Sequence, residues 1–270
     1  MKLKKKKFYF ADNLRTIGKQ FVVLMLLLTG FAINAQVVSI TSTDLVAAEV
    51  EGGAPNGATI TISRAPAAAA GFTTVNLVRS GTAVSNQDYT IPPTVIILNA
   101  VNPSVTLPVS IIEDDLVEET ETITITLGAI GGGTPNPAAN SVTINLANSP
   151  QDVGVFTLEM DDGAAAEEGS DRGRFILRLD KQNGTGKPLT VAYSLAGSAI
   201  APGNANADYT TQGQAIFTFP LGTLARALNI IPVDDALPEA DETAVLILDN
   251  PQLGNPAANT NLFSYTPASK

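Results

Sequence analysis

The 270-residue sequence contains no cysteine, no histidine and no tryptophan. Without cysteine there are no disulfides, so stability must come from packed cores, to which bound ions can add. Without imidazole or thiolate groups, the usual zinc and haem sites and the His- or Cys-based catalytic centres are excluded. Aromatic residues make up only 6% of the chain, too few for a sugar-binding platform. A two-carboxylate glycosidase needs neither missing group, but the composition as a whole predicts a protein that is not an enzyme.

The first 35 residues differ from the rest in composition. A lysine-rich start precedes an apolar run from Phe21 to Leu28, and small residues follow up to Ala35. This order is typical of a secretory signal peptide, and it predicts cleavage between Ala35 and Gln36. The alternative is a retained membrane anchor, but the apolar run is shorter than the about 20 residues that span a bilayer. We therefore expect an exported protein, periplasmic, surface-bound or secreted, whose mature chain has no transmembrane span.

Loss of residues 1–35 would make the chain strongly acidic. That segment holds seven of the sixteen basic residues and one of the twenty-six acidic residues, which leaves 9 and 25. The formal charge then changes from −10 to −16. Such a surface repels nucleic acid and anionic membranes and attracts cations. The charge balance therefore excludes nucleic acid as a partner and favours a metal cation.

The remaining sequence contains the same unit twice. The segment "NQDYT" at 86–90 returns as "NADYT" at 206–210, and "NPAAN" at 136–140 returns at 255–259. The acidic segment "EDDLVEETET", which starts at Glu113, is echoed by "VDDALPEADET", which starts at Val233. Matches in the same order at nearly one spacing indicate a tandem duplication. We predict two domains, at residues 36–149 and 150–270.

Each unit reads as about seven short β-strands. Segments such as "ATITISR" and "TITITL" in the first unit, and "RFILRL" and "LTVAYSL" in the second, alternate apolar and polar residues. Turns rich in Gly, Pro and Asn separate them, and no stretch after residue 35 has a useful helical period. Period-two alternation with regularly spaced turns is typical of an antiparallel β-sandwich. The sequence therefore predicts an all-β protein of two tandem immunoglobulin-like sandwiches.

Six carboxylates lie between Glu113 and Glu121, where one predicted strand ends and the next begins. Like charges this close repel one another. Such a segment is favourable where a cation binds or where the loop stays fully solvated.

An ordered set of short motifs resembles the Calx-beta family. In the first unit these are Glu51-Gly52, Arg64, Gly81-Thr82-Ala83, Asp88-Tyr89-Thr90 and Asp114 to Thr122. The resemblance covers nearly all of the mature chain, twice. It implies a seven-stranded immunoglobulin-like sandwich. The family includes the regulatory domains of sodium/calcium exchangers, so the resemblance also implies calcium ions held by acidic loops at one end of the sandwich. Calcium prefers six to eight oxygen ligands.

The resemblance implies calcium ligands in both repeats. In repeat 1 the matching acidic residues are Glu51, Asp88, Glu113, Asp114 and Asp115, while Ser80 and Pro92 stand where further acids are expected. In repeat 2 they are Glu168, Asp208, Asp234 and Asp235, while Ala196, Gln212 and Val233 have replaced ligands. These departures argue against a full multi-ion cluster and favour a calcium site in repeat 1 over one in repeat 2.

Other roles for these acids stay open at this point. The protein can be a calcium-dependent adhesion or interaction module, with another surface protein or a polysaccharide as partner. It can also be a calcium-independent spacer whose acids keep the loops solvated. Asp88 and Asp208 can cap turns by accepting backbone hydrogen bonds. Glu121 shares a strand face with buried isoleucines, which favours a structural hydrogen bond or a pair with Arg64 over a ligand role.

Overall fold

The computed structural model describes residues 36–52, 56–91, 93–236, 238–254, 258–259 and 261–265. The predicted signal peptide at 1–35 and the position of Pro92 lie outside the described residues. Apart from one 3-10 turn at Glu168–Ser170, the regular structure of the described residues is entirely β. Within these ranges no helix is long and apolar enough to cross a membrane.

Repeat 1 is a sandwich of two five-stranded sheets, in the orders β5-β7-β3-β1-β9 and β2-β10-β8-β4-β6. Most neighbouring strands are antiparallel, and the exceptions are the short pairings of β1 with β9 and of β2 with β10. The strands are β1 (Val37–Ser42), β2 (Val46–Ala48), β3 (Ala58–Ala65), β4 (Thr73–Gly81), β5 (Tyr89–Thr90), β6 (Val95–Leu98), β7 (Ser104–Ile111), β8 (Glu121–Gly131), β9 (Thr134–Pro135) and β10 (Ser141–Ala147).

Repeat 2 has the same architecture. Its first sheet has the order β14-β16-β12-β11-β20, and its second has the order β15-β13-β18-β19, with β17 paired to β13. The strands are β11 (Gly154–Asp162), β12 (Gly173–Leu179), β13 (Leu189–Gly197), β14 (Tyr209–Gln212), β15 (Ile216–Phe219), β16 (Ala225–Pro232), β17 (Ala244–Leu248), β18 (Gln252–Leu253), β19 (Ala258–Asn259) and β20 (Phe263–Tyr265). The predicted fold of two tandem sandwiches is therefore confirmed.

The alternating sequence places each core between its two sheets. In β3, Ile60 and Ile62 are fully buried while Thr59 is exposed, because successive side chains of a strand point to opposite faces. The core of repeat 1 is mostly aliphatic, whereas the core of repeat 2 includes Phe156 and Phe219, whose rings meet edge-on at 4.9 Å. Both cores are continuous, so each repeat buries its own apolar face.

The loops that carry the acids have the same backbone in both repeats. Asn86 and Asn206 adopt positive φ values of 70° and 57°, in the left-handed region that asparagine tolerates better than most residues. The aspartate two residues later closes the turn in each case. The carbonyl oxygen of Asp88 accepts from Ile112 N at 2.9 Å, and that of Asp208 accepts from Val233 N at 2.8 Å. These bonds tie each DYT turn to the start of the acidic loop.

The two repeats meet through a backbone bridge. Val117, in the β7–β8 loop of repeat 1, donates its N–H to Gln182 O at 2.9 Å and accepts from Gly184 N at 3.0 Å. Its side chain is fully buried and belongs to the apolar core of repeat 2. A Cβ at Gly184 would lie 2.8 Å from Leu116 Cβ, so the close approach requires glycine. The acidic loop of repeat 1 is thus fixed against repeat 2.

Candidate metal centre

Five carboxylates converge at the end of repeat 1 that faces repeat 2. They form two overlapping groups, each with one carboxylate oxygen per residue within 4.8 Å of the others, and Glu118 belongs to both. The groups are Glu49, Asp114 and Glu118, and Asp88, Glu118 and Glu121. We call these five residues the inner cluster.

Three separate loops supply the inner cluster. Glu49 follows β2, Asp88 immediately precedes β5, and Asp114 and Glu118 come from the β7–β8 loop, while Glu121 is the first residue of β8. The ends of a β-sandwich gather loops that are distant in sequence, which is why these side chains meet. Two of the aspartates also stabilise their own loops. Asp88 Oδ2 accepts from Val84 N, and Asp114 Oδ1 accepts from Leu116 N at 2.8 Å.

The inner cluster is largely shielded from solvent. Glu49 is 2% exposed, Asp88 6% and Glu118 9%. No hydrogen-bond donor among the described residues reaches Glu49 Oε2 or Glu121 Oε2, although both oxygens are buried. Buried polar atoms in native proteins normally have a partner. Two unpartnered carboxylate oxygens therefore leave room for a ligand that the protein itself does not provide.

Burial and mutual repulsion disfavour ionisation of the inner cluster. Burial, followed by the charges of Asp114 and Asp152, raises the pKa of Glu49 from 4.5 to about 7. Burial and the charge of Glu121 raise the pKa of Glu118 to about 8. Burial and a hydrogen bond with Asp88 raise the pKa of Glu121 to about 7. The ionised form of each of these three glutamates is thus destabilised, by about 3 kcal/mol for a pKa raised from 4.5 to about 7.

The remaining ligand residues predicted for repeat 1 lie outside the inner cluster. Glu51 and Asp115 face Lys181 of repeat 2, at 3.9 Å and 3.6 Å from its Nζ atom. Glu113 is half-buried in the same loop, but the acidic groups found among the described residues do not include it. Of the five residues, the structure therefore brings together Asp88 and Asp114.

The sequence did not indicate Glu49, Glu118 or Glu121 as possible ligands. Glu121 was expected to form a structural hydrogen bond or to pair with Arg64. Arg64 instead donates to Gln36 Oε1 at 2.8 Å and to backbone carbonyls, including Gly71 O at 3.1 Å. The alternation of β8 places Glu121 on the inward face, which favours a structural role. Because Glu121 is also the first residue of β8, its side chain lies beside the acidic loop, and this position could have indicated a ligand.

Repeat 2 has a smaller and more open acidic group. Asp208, Glu239 and Glu242 have carboxylate oxygens within 4.8 Å of one another, but the two glutamates are exposed. Asp208 Oδ2 accepts from Ile200 N at 2.5 Å, as Asp88 does from Val84 in repeat 1. Of the predicted ligands in repeat 2, only Asp208 is in this group. Glu168, Asp234 and Asp235 are exposed and lie outside it.

The donor set of the inner cluster suits a hard divalent cation. Its five carboxylates offer up to ten oxygens, and calcium takes six to eight oxygen ligands at about 2.3–2.6 Å. The cluster has no nitrogen or sulfur donor, which disfavours zinc and copper.

The Calx-beta domain model matches this chain twice, at residues 33–150 and 149–265. The chain therefore belongs to the Calx-beta family, as a protein with two tandem Calx-beta domains. No curated protein matches it significantly.

Solved structures with similar folds include three from the CALX proteins. The calcium-binding domain CBD12 of CALX1.1 and CBD12 from CALX1.2 are each 14% identical to this chain. Each alignment covers 80% of this chain and 81% of the other, with TM-scores of 0.34 and 0.33. The apo form of the Calx CBD1 domain is also 14% identical, covering 43% of this chain and 98% of that domain, with a TM-score of 0.34.

Proposed function

We propose that the protein is an exported, non-enzymatic interaction module that binds calcium in the inner cluster of repeat 1. One observation carries this proposal: Glu49 is 2% exposed, and its Oε2 atom has no hydrogen-bond partner among the described residues. The carboxylate lies within 4.8 Å of Asp114 and Glu118. A buried carboxylate beside other acids is unfavourable unless it binds a proton or a cation. Membership of the Calx-beta family supports calcium as that cation.

The proposed ion would be held by Glu49, Asp88, Asp114, Glu118 and Glu121. The β7–β8 loop supplies two of these residues and also contacts repeat 2 through Val117. We propose domain bounds of 36–149 and 150–270. Ion binding would therefore reduce the repulsion between the carboxylates of the inner cluster, which lie at the junction of these two domains. A firm junction suits an adhesion or interaction module that presents a surface to another cell-surface protein or a polysaccharide. In repeat 2 the acids are more exposed, so we expect a weaker calcium site there or none.

A calcium-independent spacer is the second candidate function. The observation that favours it is the backbone bridge between Val117 and Asn183, since this contact joins the repeats without an ion. In that case the buried carboxylates with raised pKa values would bind protons instead of a metal ion.

Thermal unfolding of the mature chain in calcium and in chelator tests the proposal. A folded-state site with a dissociation constant of about 10⁻⁴ M would add about 1.8 kcal/mol at about 2 mM calcium. That corresponds to several degrees in the melting temperature of a domain of this size. Magnesium at the same concentration controls for ionic strength, because it prefers smaller octahedral sites with several waters.

The matched variants are Asp114→Asn with Glu118→Gln in repeat 1 and Asp234→Asn with Asp235→Asn in repeat 2. The first pair should remove most of the calcium-dependent shift, and the second pair should leave it. Equal melting temperatures of the wild-type chain in calcium and chelator would contradict calcium binding and favour the spacer.

A further inference from the structure

One lysine of repeat 2 is shared by three carboxylates at the junction. Lys181 Nζ lies 2.5 Å from Asp152 Oδ1, 3.6 Å from Asp115 Oδ1 and 3.9 Å from Glu51 Oε2. Asp115 and Glu51 belong to repeat 1, while Asp152 lies in the connection that leads into β11. The ammonium group therefore neutralises acids from both sides of the junction.

The fold holds Lys181 in this position. It follows β12 in the loop that ends against the bridge between Val117 and Asn183, two residues further along the chain. The side chain of Asp152 has no exposed surface, Lys181 contacts its Oδ1 atom, and its Oδ2 atom has no hydrogen-bond partner among the described residues. A buried carboxylate of this kind needs a charged partner, and the loss of that partner is strongly unfavourable. Lys181 is thus more firmly placed than an ordinary surface lysine.

The three carboxylates around Lys181 adjoin the inner cluster. The charge of Asp152 contributes to the raised pKa of both Glu49 and Asp114, and Asp115 is the next residue after Asp114. A positive charge on Lys181 therefore acts on the same region where a calcium ion would bind. The ammonium group of Lys181 and a bound calcium ion are both positively charged and would repel each other.

We propose that Lys181 acts as a permanent cation on the outer side of the inner cluster and sets the number of calcium ions that repeat 1 accepts. Its ammonium group lies 3.9 Å from Glu51 and 3.6 Å from Asp115, which the family resemblance implied as ligands. Its positive charge disfavours a second cation beside these two acids and leaves the inner cluster to a divalent ion. Lys181 is then a specificity-determining residue of the site. This inference rests on the proposed calcium function.

Calcium titration of the full mature chain by isothermal calorimetry, with equilibrium dialysis for stoichiometry, tests the role of Lys181. Lys181→Met keeps the length of the side chain and removes its charge. This variant should bind calcium about tenfold more tightly than the wild type, or bind one additional ion, because the positive charge beside Glu51 and Asp115 is removed. Lys187→Met is the matched control. Lys187 pairs with Glu119 at the same junction, but neither residue belongs to the inner cluster, so calcium binding should not change.

A second variant covers the case in which Lys181→Met does not fold. Lys181→Met combined with Asp152→Asn removes both partners of the buried pair, which is better tolerated than the loss of one. Its reference is Asp152→Asn alone, and it should bind calcium more tightly than that variant or with one more ion. If neither Lys181 variant binds calcium more tightly or with more ions than its reference, the wild type or Asp152→Asn, the role of Lys181 is wrong while the calcium site stands. If none of them binds calcium, the proposed function fails as well.

Discussion

The acidic loops of the two repeats have related sequences but different surroundings. Glu118 and Glu121 of repeat 1 correspond to Glu239 and Glu242 of repeat 2, after a one-residue insertion in the second loop. Glu118 is 9% exposed beneath the junction with repeat 2, whereas Glu239 and Glu242 are exposed. Burial raises the pKa of Glu118 to about 8. In the acidic group of repeat 2 the raised pKa values belong to Glu239 and Glu242, which are exposed, so solvent screens their interactions.

This difference shows that the neighbouring domain changes the chemistry of a duplicated loop. Val117 precedes Glu118 and is buried in the core of repeat 2. Pro238 precedes Glu239 and is exposed. The same acidic motif is therefore shielded in one repeat and solvated in the other. Burial makes ionised carboxylates less favourable and strengthens their attraction to a bound ion, since the local dielectric constant is lower.

The largest expected effect comes from the residue that joins the repeats. Val117→Ser should destabilise the chain by about 3 kcal/mol, because it removes buried methyl groups and places a hydroxyl in the core of repeat 2. Pro238→Ser, at the corresponding position of repeat 2, should cost less than about 1 kcal/mol. Urea unfolding followed by circular dichroism measures both. Similar losses for the two variants would contradict the structural difference between the loops.

A smaller effect is expected from removing one charge of each acidic group. In chelator at pH 8, Glu118→Gln should stabilise repeat 1 by about 2 kcal/mol, because the buried charge is removed. The gain is less than the full pKa change of Glu118 implies, since Glu49 and Glu121 then share the protons of the cluster. Glu239→Gln should change the stability by less than about 0.5 kcal/mol, as its charge is solvated. A destabilised Glu118→Gln chain would show that Glu118 makes a favourable interaction as a carboxylate.

The sequence predicts the fold better than the site. Alternation in segments such as Ala58–Ala65 places buried and exposed residues correctly, because period-two patterns record which face of a strand is buried. One of the motifs that suggest the Calx-beta family is the short turn at Asp88, which recurs at Asp208. The backbone geometry of both turns follows from local residues such as Asn86 and Asn206. Features of this kind can be predicted from a single sequence because they depend on residues that are close together in the chain.

The composition of the inner cluster depends on contacts between distant loops and between domains. Glu49 follows a three-residue strand and lies two residues before Glu51, and the family motif matches Glu51 rather than Glu49. Glu51 and Asp115 match the family positions, yet Lys181 comes from the other repeat and pairs with both. The sequence of repeat 1 alone predicts neither the burial of Val117 in the core of repeat 2 nor the contact of its acids with Lys181.

The smallest expected effect is the pH dependence of calcium binding. The folded-state pKa values of Glu49, Glu118 and Glu121 lie at about 7 to 8, above the ordinary value of 4.5. Groups with raised pKa values favour the folded state when protonated. In chelator, stability should therefore rise as the pH falls from 8 to 6, and it is lost as the pH rises through these pKa values.

Calcium requires the same carboxylates in their ionised form, so protons compete with it and binding releases them. The calcium-induced gain in stability should be about 1 kcal/mol smaller at pH 6 than at pH 8. Thermal unfolding in calcium and in chelator at both pH values measures this difference. Asp234→Asn with Asp235→Asn in repeat 2 is the control, and it should show the same pH dependence as the wild type. A calcium-induced gain that does not change between pH 8 and pH 6 would mean that the ion binds to exposed carboxylates with ordinary pKa values rather than to the inner cluster.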